Sequence, residues 1–435
     1  MEMAVTGESF YPIVQEIADQ VSHGLGAGVA ETVERCLMDM LTRTVTYLPD
    51  GTAFVITGDI PAMWLRDSTA QLAPFLHVAH RYPELADLIA AVSKRQLDYV
   101  LLDPYANAFN ATDNAAGHQD VFPQSGWIWE RKYEIDSLAY TIQLAYDLWA
   151  TTQRTNHLQS FVSVATVVIR TWRTEQDHER NSTYRFARLD CPASDTLTRE
   201  GLGPISGHTG MTWAGFRPSD DACVYGYNIP GNAFAAVALK YIAELAAKVF
   251  DDHALAGDAD LLREDIQQGI ERFGLVDVDG RQPVYAYEVD GLGNSLVADD
   301  ANVPSLMSLP MLGWCTTADP IYLATRSRIF SGANPYFFTG TAASGVGSPH
   351  TPPNHVWPIA LAVQGLTSHD PAEKRDLLAL LLATDGGTGY MHESFHVDDP
   401  TTFTRPWFSW ANAMFCELAL DVAGLRTYRR PPLRL

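Results

Sequence analysis

The 435-residue sequence has no run of about 18 apolar residues, and its first residues lack the basic start and apolar stretch of an export signal. We therefore expect no transmembrane helix and a cytoplasmic location, with a secreted protein whose leader was removed as the alternative. The five cysteines are widely spaced and include no C-x-x-C pair. That spacing predicts neither a disulfide framework nor a structural zinc site.

Basic residues are few: 30 Lys and Arg stand against 52 Asp and Glu, which gives a formal net charge of -22. A surface of this sign repels polyanions, so we expect neither nucleic acid nor an anionic membrane as a partner. A neutral small molecule or a glycan fits the composition better. The 10 Trp, 18 Tyr and 18 Phe suit stacking on sugar rings, although most of them belong in the core. We expect a monomer.

Helical periodicity dominates the chain. A first helix is predicted near residues 11–21. Apolar residues at i, i+3, i+4 spacing then predict twelve further helices, near 31–43, 69–81, 84–101, 136–150, 158–174, 232–250, 259–273, 303–312, 320–329, 355–364, 372–383 and 408–423.

These twelve predicted helices alternate in character along the chain. Every second one, starting with 31–43, carries charge on one face, and the others are apolar all round, which is typical of outer and inner helices respectively. Six inner and six outer helices predict an all-α (α/α)6 barrel, with β-hairpins inserted at 46–57 and 284–296. No linker-like composition divides the chain, so we predict a single domain over residues 1–435.

Residues 386–400 contain His392, Glu393 and His396 in H-E-x-x-H spacing. On a helix this spacing places two imidazoles to bind zinc, with the glutamate as base. Three glycines lie just upstream and Pro400 lies downstream, and both residue types disfavour a helix. The segment is therefore predicted to be a loop, in which Glu393 is one of two carboxylates that converge as in a glycosidase.

The segments that precede the predicted inner helices combine carboxylates, guanidiniums and tryptophans. In an (α/α)6 barrel these segments share one face, so we expect their side chains to meet there. Structural roles compete with binding roles at each position: Asp67 can cap a helix, and Arg66, Arg131 and Arg217 can neutralise surplus acids. For the second carboxylate, Asp220 and Asp221 are equivalent on this reasoning.

Five strings of the sequence resemble glycoside hydrolase family 125, whose members are exo-acting α-1,6-mannosidases. The similarity spans about residues 31–423. The strings are GDIPAMWLRDS (58–68), WIWERKYE (127–134), FRPSDD (216–221), YEVDGLGN (287–294) and MHESFHVDDP (391–400).

The resemblance implies an (α/α)6 barrel, inversion at the anomeric carbon, and no metal ion or cofactor. Carried over by motif, it implies Asp220 as general acid and Glu393 as general base. It also implies pocket-lining roles for Arg66, Asp67, Glu130, Arg217, His350 and His396. We further predict substrate contacts from Trp64, Arg131, Asp221 and Trp410.

These assignments predict single displacement on a terminal mannose of an α-1,6-linked oligosaccharide. Glu393 would take a proton from water while Asp220 protonates the departing O6, with the two carboxyl groups about 6.5 to 9.5 Å apart. Three alternatives remain: a zinc hydrolase that uses the H-E-x-x-H spacing, a glycan-binding toroid without activity, and an inverting enzyme for another sugar, such as an α-glucosidase.

Overall fold

The computed structural model describes residues 7–118, 120–278, 280 and 282–434. A π-helical turn at Met40–Thr44 extends α2, and 3-10 turns lie at Gly7–Phe10 and Ala193–Asp195. The α-helices are α1 (Tyr11–Leu25), α2 (Ala27–Asp39), α3 (Leu65–Leu76), α4 (Pro83–Leu102), α5 (Ile135–Thr152), α6 (Phe161–Glu175), α7 (His178–Asn181), α8 (Thr198–Gly201), α9 (Ile229–Val249), α10 (His253–Phe273), α11 (Leu309–Leu312), α12 (Pro320–Ile329), α13 (Pro358–Leu366), α14 (Pro371–Ala383) and α15 (Ser409–Val422).

In the described part of the chain, α3, α5, α9, α11, α13 and α15 form an inner ring. Helix α3 packs between α15 and α5, α5 packs on α9, α9 on α11, and α13 on α15. Helices α5, α9 and α15 are buried along nearly their whole length, because apolar residues occupy all their faces. Helices α2, α4, α6, α10, α12 and α14 alternate with them and keep exposed residues along one side. The predicted all-α (α/α)6 architecture is confirmed.

The predicted helix at 303–312 is wrong over most of its length, since α11 covers only Leu309–Leu312. The Asp299 carboxylate accepts hydrogen bonds from two backbone N–H groups of this segment. The hydroxyls of Ser305 and Ser308 each accept from the other's backbone N–H. Local bonds of this kind compete with helical ones, so the segment forms turns instead.

The strands are short. They pair, all antiparallel, as β1–β2, β7–β8 and β11–β12, and as the three-stranded sheets β3–β4–β5, β10–β9–β6 and β13–β14–β15. The strands are β1 (Val45–Tyr47), β2 (Ala53–Val55), β3 (Met63–Trp64), β4 (Ala108–Phe109), β5 (Ile128–Glu130), β6 (Tyr227–Asn228), β7 (Leu275–Val276), β8 (Val284–Tyr285), β9 (Glu288–Val289), β10 (Ser295–Leu296), β11 (Phe337–Thr339), β12 (Ser344–Val346), β13 (His355–Val356), β14 (Ser394–His396) and β15 (Asp399–Thr404).

Two strand predictions have different outcomes. The hairpin at 46–57 is confirmed by β1 and β2. The hairpin at 284–296 is confirmed only over 288–296, where β9 pairs with β10, because β8 pairs with β7 and β9 also pairs with β6. The predicted helix at 355–364 also begins late: its first residues form β13, and α13 starts at Pro358, whose ring suits the first turn of a helix.

Most of the short sheets lie at one end of the inner ring. Strands β3, β6 and β13 end just before α3, α9 and α13, and β5 and β15 precede α5 and α15. The segment before α3 is joined to the segment before α15 by a bridge between Gly58 and Phe408. Gly58 has a φ of 131°, and a Cβ there would lie 2.4 Å from the carbonyl oxygen of Trp407, so only glycine fits. The predicted common face is therefore present.

A continuous hydrophobic core runs from Phe10 to Leu420. This continuity supports a single domain, although the span 1–435 stays a prediction and residues 1–6 lie outside the described residues. Across the described ranges, the helices that are long enough to cross a membrane are not apolar enough to do so.

Candidate active site

A cavity of about 210 Å³ opens at the end of the inner ring where the short sheets lie. Its walls come from the segments that precede α3, α9, α11, α13 and α15 and from the first turns of α3 and α15. The lining residues are Thr57, Ile60, Trp64, Arg66, Asp67, Pro218, Ser219, Asp220, Asn302, His350, Trp357, Glu393, Arg405, Phe408 and Trp410.

The structure brings together seven of the residues predicted from sequence. The two carboxylates of the predicted catalytic pair, Asp220 and Glu393, both face this cavity and come from different segments of the chain. The seven residues are Trp64, Arg66, Asp67, Asp220, His350, Glu393 and Trp410.

Three further predicted residues lie behind the cavity wall instead of lining it. Glu130 is buried and accepts a hydrogen bond from Asn107 (3.1 Å). Arg217 is buried against Glu288. Asp221 hydrogen-bonds to His350, whose ring does line the cavity. These three residues support the residues that line the cavity, and the direct substrate contacts expected of them stay a prediction.

Arg131 and His396 do not line this cavity, and the substrate contacts expected of them stay a prediction. Arg131 Nε donates to Asp103 (2.6 Å). The ring of His396 packs edge-on against His355, with centroids 5.4 Å apart. Both residues lie in or beside strands, where successive side chains point to opposite sides. A motif in extended backbone therefore presents only part of its residues to a ligand.

Asp220 lies in a tight turn formed by residues 217–221. The carbonyl of Arg217 accepts from the N–H of Asp220 (2.9 Å), and the N–H of Arg217 donates to the carbonyl of Asp221 (2.8 Å). The Glu288 carboxylate fixes this turn through Arg217 and two further backbone N–H groups. Asp220 has a φ of 66°, a left-handed conformation that is uncommon outside glycine and that often occurs at functional sites.

Arg66 anchors the Asp220 side chain. Its Nη2 donates to Asp220 Oδ1 (2.9 Å), and its Nη1 donates to Glu134 Oε2 (2.7 Å) and Asp136 Oδ2 (2.9 Å). Arg66 is only 3 % exposed, so these are buried, charge-assisted bonds. Burial raises the pKa of the Asp220 carboxyl, but the charge of Arg66 and a hydrogen bond with Glu134 outweigh it and lower this pKa below its usual range.

Glu393 lies directly before β14 and is 6 % exposed. Its Oε1 is 3.6 Å from Nη1 of Arg405. Arg405 also donates to Thr57 and Asp59 in the segment before α3. Glu393 is thereby held against the cavity, where a carboxylate can accept a proton from a bound water.

His392 faces away from the cavity that Glu393 lines. Its ring stacks on Phe403 with centroids 3.6 Å apart, and its Nε2 lies 3.1 Å from the hydroxyl of Thr388. Over the residues that the structure describes, no group of three or more His, Cys, Asp or Glu could hold a metal ion. The geometry contradicts the zinc interpretation of H-E-x-x-H. The predicted loop at 386–400 is correct in excluding a helix, but part of it is strand.

Asp67 adds a third carboxylate to the cavity wall, on the first turn of α3. Burial raises the pKa of Asp67 to about 6, and the nearby Asp220 adds to this effect, while Arg66 and Arg405 oppose it. The predicted helix-cap alternative for Asp67 is not seen, because Asp67 lies inside α3 and the N-cap position is Trp64. Its carboxylate lines the cavity, 3.8 Å from Nε of Arg66.

His350 carries a positive charge at neutral pH. Its Nδ1 lies 3.3 Å from Asp221 Oδ1. Burial disfavours the imidazolium, but the hydrogen bond and charge of Asp221 outweigh it, and Glu393 and Asp220 add to the effect, raising the pKa of His350 to about 9. The cavity thus contains a cationic hydrogen-bond donor between the two predicted catalytic carboxylates.

The charge of His350 gives a testable prediction. In the variant D221N the main partner of the imidazolium is removed, so we expect the pKa of His350 to fall from about 9 toward the ordinary value of about 6.5. An NMR titration of the histidine ring protons measures it. D251N, which removes an exposed carboxylate beside another histidine, should leave the pKa of His350 unchanged. An unchanged value in D221N would contradict this origin of the charge.

Several polar atoms on the cavity wall have no partner among the described residues. They are buried, and they include Nε1 of Trp64, Nε1 of Trp410 and Oγ of Ser219. A buried donor without a hydrogen bond is costly, and the hydroxyl groups of a sugar could accept from all three. The cavity is therefore prepared for a ligand that carries many hydroxyl groups.

Sequence reasoning missed several residues of the cavity. Arg405 and Phe408 lie in the segment before α15, and their position before an inner helix could have identified them as cavity residues. Trp357 lies directly before α13, where the predicted helix wrongly included it. Asn302 lies directly before the predicted helix at 303–312, next to a cis peptide bond between Val303 and Pro304. Ser219 lies between recognised residues of the 216–221 string, yet only the turn geometry shows that it faces the cavity.

Comparison with known proteins identifies similar chains. The family model for metal-independent α-mannosidases, glycoside hydrolase family 125, matches residues 27–420. The meiotically up-regulated gene 157 protein of Schizosaccharomyces pombe is 38% identical over 424 residues, which cover 91% of this chain and 82% of that protein.

Two solved structures are similar to this chain to different degrees. A metal-independent α-mannosidase of Streptococcus pneumoniae, solved as a non-productive complex with α-1,6-mannobiose, superposes with a TM-score of 0.93 at 51% identity, covering 95% of this chain and 98% of that one. A wild-type glycosidase superposes with a TM-score of 0.54 at 13% identity, covering 92% of this chain and 98% of that one. At that identity the second similarity concerns the fold alone.

Proposed function

Because the chain belongs to the metal-independent α-mannosidases of glycoside hydrolase family 125, we propose that it removes non-reducing terminal mannose from α-1,6-linked oligosaccharides with inversion. The observation that carries this proposal is the convergence of Asp220 and Glu393 on one cavity. The α-1,6-mannobiose bound to the similar Streptococcus pneumoniae enzyme supports the linkage.

The size of the cavity supports exo-action. Its volume is about 210 Å³, below the range of roughly 300 to 1,000 Å³ that is common for drug-sized ligands. A single sugar ring fits such a space, and the rest of the oligosaccharide would extend toward the solvent. The enzyme would therefore act on one terminal residue at a time.

The two carboxyl groups have separate tasks in the proposed reaction. Glu393 takes a proton from a water molecule as the water oxygen bonds to C1 of the mannose. Asp220 gives its proton to O6 of the next sugar as the C1–O6 bond breaks. Attack from the face opposite the leaving group converts the α-linkage into β-mannose, and the pair is predicted to be about 6.5 to 9.5 Å apart.

The cavity wall supplies hydrogen bonds that would hold the terminal mannose. Asp67 can accept from sugar hydroxyls, while His350 and the unpartnered groups of Trp64 and Trp410 can donate to them. The indole rings also provide apolar faces for the C–H groups of a sugar. This combination of donors, acceptors and aromatic faces is typical of carbohydrate sites.

A panel of mannobioses tests the linkage. We expect the purified enzyme to release mannose from α-1,6-mannobiose at least about ten-fold faster, in kcat/KM, than from the α-1,2 or α-1,3 isomers, since O6 departs on a flexible CH₂ arm and needs its own protonation geometry. An α-1,6-linked glucose disaccharide is the matched control for the sugar. Equal rates on all linkages, or faster release of glucose, would contradict the proposed specificity. Binding without any release would favour the non-catalytic alternative.

We also propose that the protein is a monomer and acts in the cytoplasm. The five cysteines are unpaired, and four of them are buried, which supports a reducing compartment. Light scattering of the purified protein and fractionation of the source cells test these two statements separately.

A further inference from the structure

Three carboxyl groups meet one guanidinium beneath the cavity. Arg66 donates to Glu134, Asp136 and Asp220, at 2.7, 2.9 and 2.9 Å. Glu134 and Asp136 are each about 1 % exposed. One positive charge cannot balance three buried negative charges, and an unbalanced buried carboxylate picks up a proton instead. The cluster therefore holds at least one proton.

The geometry indicates which two carboxyl groups share that proton. The side-chain amide nitrogen of Asn107 lies 3.5 Å from Glu134 Oε1 and also 3.5 Å from Asp220 Oδ1. Glu134 and Asp220 are thus linked twice, through Arg66 and through Asn107, and their oxygens are close neighbours. Among the residues that the structure describes, Asp136 hydrogen-bonds to this cluster through Nη1 of Arg66 alone.

Charged groups from the other elements around the pair act mainly on Asp220. Lys132 donates to the backbone carbonyl of Asp220 (2.8 Å) and pairs with Glu130 and Asp195. His350 approaches Asp220 from the segment before α13, and Asp67 lies 3.8 Å from Nε of Arg66. The thiol of Cys223 also lies near Glu134, and burial raises the pKa of this thiol.

We propose that Glu134 is the proton partner of Asp220: the pair holds one proton at the working pH, and Glu134 passes it to Asp220 for transfer to the departing O6. The proposal rests on the assignment of Asp220 as general acid. It makes Glu134 a positioning residue that acts through Asp220, outside the reach of the substrate.

The electrostatics of the pair agree with this arrangement. Burial raises the pKa of Glu134 well above its usual value, Arg66 opposes this effect, and Asp220 adds to it. The surrounding cations favour the ionised form of Asp220 instead. The proton thus rests on Glu134, hydrogen-bonded to Asp220. As O6 gains negative charge in the transition state, this single proton passes from Glu134 to Asp220 and from Asp220 to O6, which leaves both carboxyl groups ionised until the pair takes up a proton from water.

The variants E134Q and D136N provide a matched test, because each removes one buried carboxylate that Arg66 contacts. Two substrates separate the roles: α-1,6-mannobiose, whose leaving oxygen needs a proton, and 2,4-dinitrophenyl α-mannoside, whose leaving group departs as a stable anion. We expect E134Q to lose about 10² to 10⁴-fold on mannobiose, the usual contribution of a general acid, and only a few-fold on the dinitrophenyl substrate. We expect D136N to slow both substrates by similar factors.

The conservative variant E134D adds a rescue test. It keeps a carboxyl group that can hold the proton, so it should recover part of the mannobiose activity that E134Q loses. Equal losses of E134Q on both substrates, or equal behaviour of E134D and E134Q, would show that Glu134 is only structural and would overturn the proposal.

The pH profile of the unmodified enzyme is a second test of the shared proton, and it does not depend on the folding of any variant. Acid catalysis needs the proton on the pair, so kcat/KM on mannobiose should fall as pH rises through the upper pKa of the pair, which burial of Glu134 raises well above the ordinary carboxyl value. The dinitrophenyl substrate should lack this limb. A limb at the ordinary carboxyl value of about 4 would mean that the pair holds no proton, and would overturn the proposal.

If Asp220 is not the general acid, the variants show a different pattern of activity. If D220N shows no selective loss on mannobiose, the general acid is another residue, whatever E134Q does. If D220N shows the selective loss and E134Q does not, the assignment of Asp220 stands and only the proton partnership is wrong.

Discussion

Replacement of Glu393 by glutamine is expected to lower kcat on α-1,6-mannobiose by at least about 10² to 10⁴-fold, the usual contribution of a general base. Glutamine has nearly the same shape but cannot take the proton of the attacking water. Glu393 is 6 % exposed and its nearest charged partner is Arg405 at 3.6 Å, so the neutral side chain should be tolerated. Steady-state kinetics measures the loss, and an unchanged melting temperature shows that folding is intact.

Two companion variants sharpen the test of Glu393. D398N removes an exposed carboxylate from the neighbouring turn and should keep full activity. E393A opens space for azide, a nucleophile that needs no base, so added azide should restore turnover and yield β-mannosyl azide. Activity of E393Q within ten-fold of the unmodified enzyme would contradict the assignment of the base.

Replacement of Asp220 by asparagine is expected to abolish most turnover of α-1,6-mannobiose, by about 10² to 10⁴-fold, while hydrolysis of 2,4-dinitrophenyl α-mannoside falls far less. The reason is that O6 of a sugar departs poorly without a proton, whereas dinitrophenolate departs readily. The turn at 217–221 should survive, because asparagine tolerates the left-handed φ of 66° found at Asp220. The ratio of kcat/KM between the two substrates measures the effect.

D221N is the matched control for D220N, because the sequence alone does not show which of the two adjacent aspartates is the general acid. In the structure Asp220 faces the cavity and contacts Arg66, while Asp221 contacts His350 from behind. We therefore expect D221N to cost less than D220N and to affect both substrates alike. A leaving-group-dependent loss in D221N but not in D220N would move the role of the acid to Asp221.

Much of the fold can be predicted from sequence because apolar residues recur in helices with a clear period. Apolar residues around all faces of α5, α9 and α15 mark them as inner helices, and the alternation with one-faced helices predicts the double ring. The segment 303–312 has the same apolar spacing but is mostly turns. There the hydroxyls of Ser305 and Ser308 and the carboxylate of Asp299 satisfy the backbone, an arrangement that depends on tertiary contacts and leaves no periodic signal.

The site is predictable at the level of segments and less so at the level of side chains. The position before an inner helix correctly brings Arg66, Asp220 and Glu393 to one cavity. It cannot tell that Arg131 turns to Asp103, because that depends on the phase of a short strand. Arg405 was missed although its segment was recognised, since its contact with Glu393 arises from the pairing of β14 with β15, where Ser394 lies opposite Thr404.

The central claim is an inverting, metal-independent hydrolysis of α-1,6-linked mannose. The most direct measurement is proton NMR of the products released from α-1,6-mannobiose in buffer with a chelator, followed from the first minutes. We predict that β-mannose appears first and then equilibrates with the α-anomer, at a rate that the chelator does not change. First release of α-mannose, or loss of activity that added zinc restores, would contradict the two-carboxylate inverting mechanism.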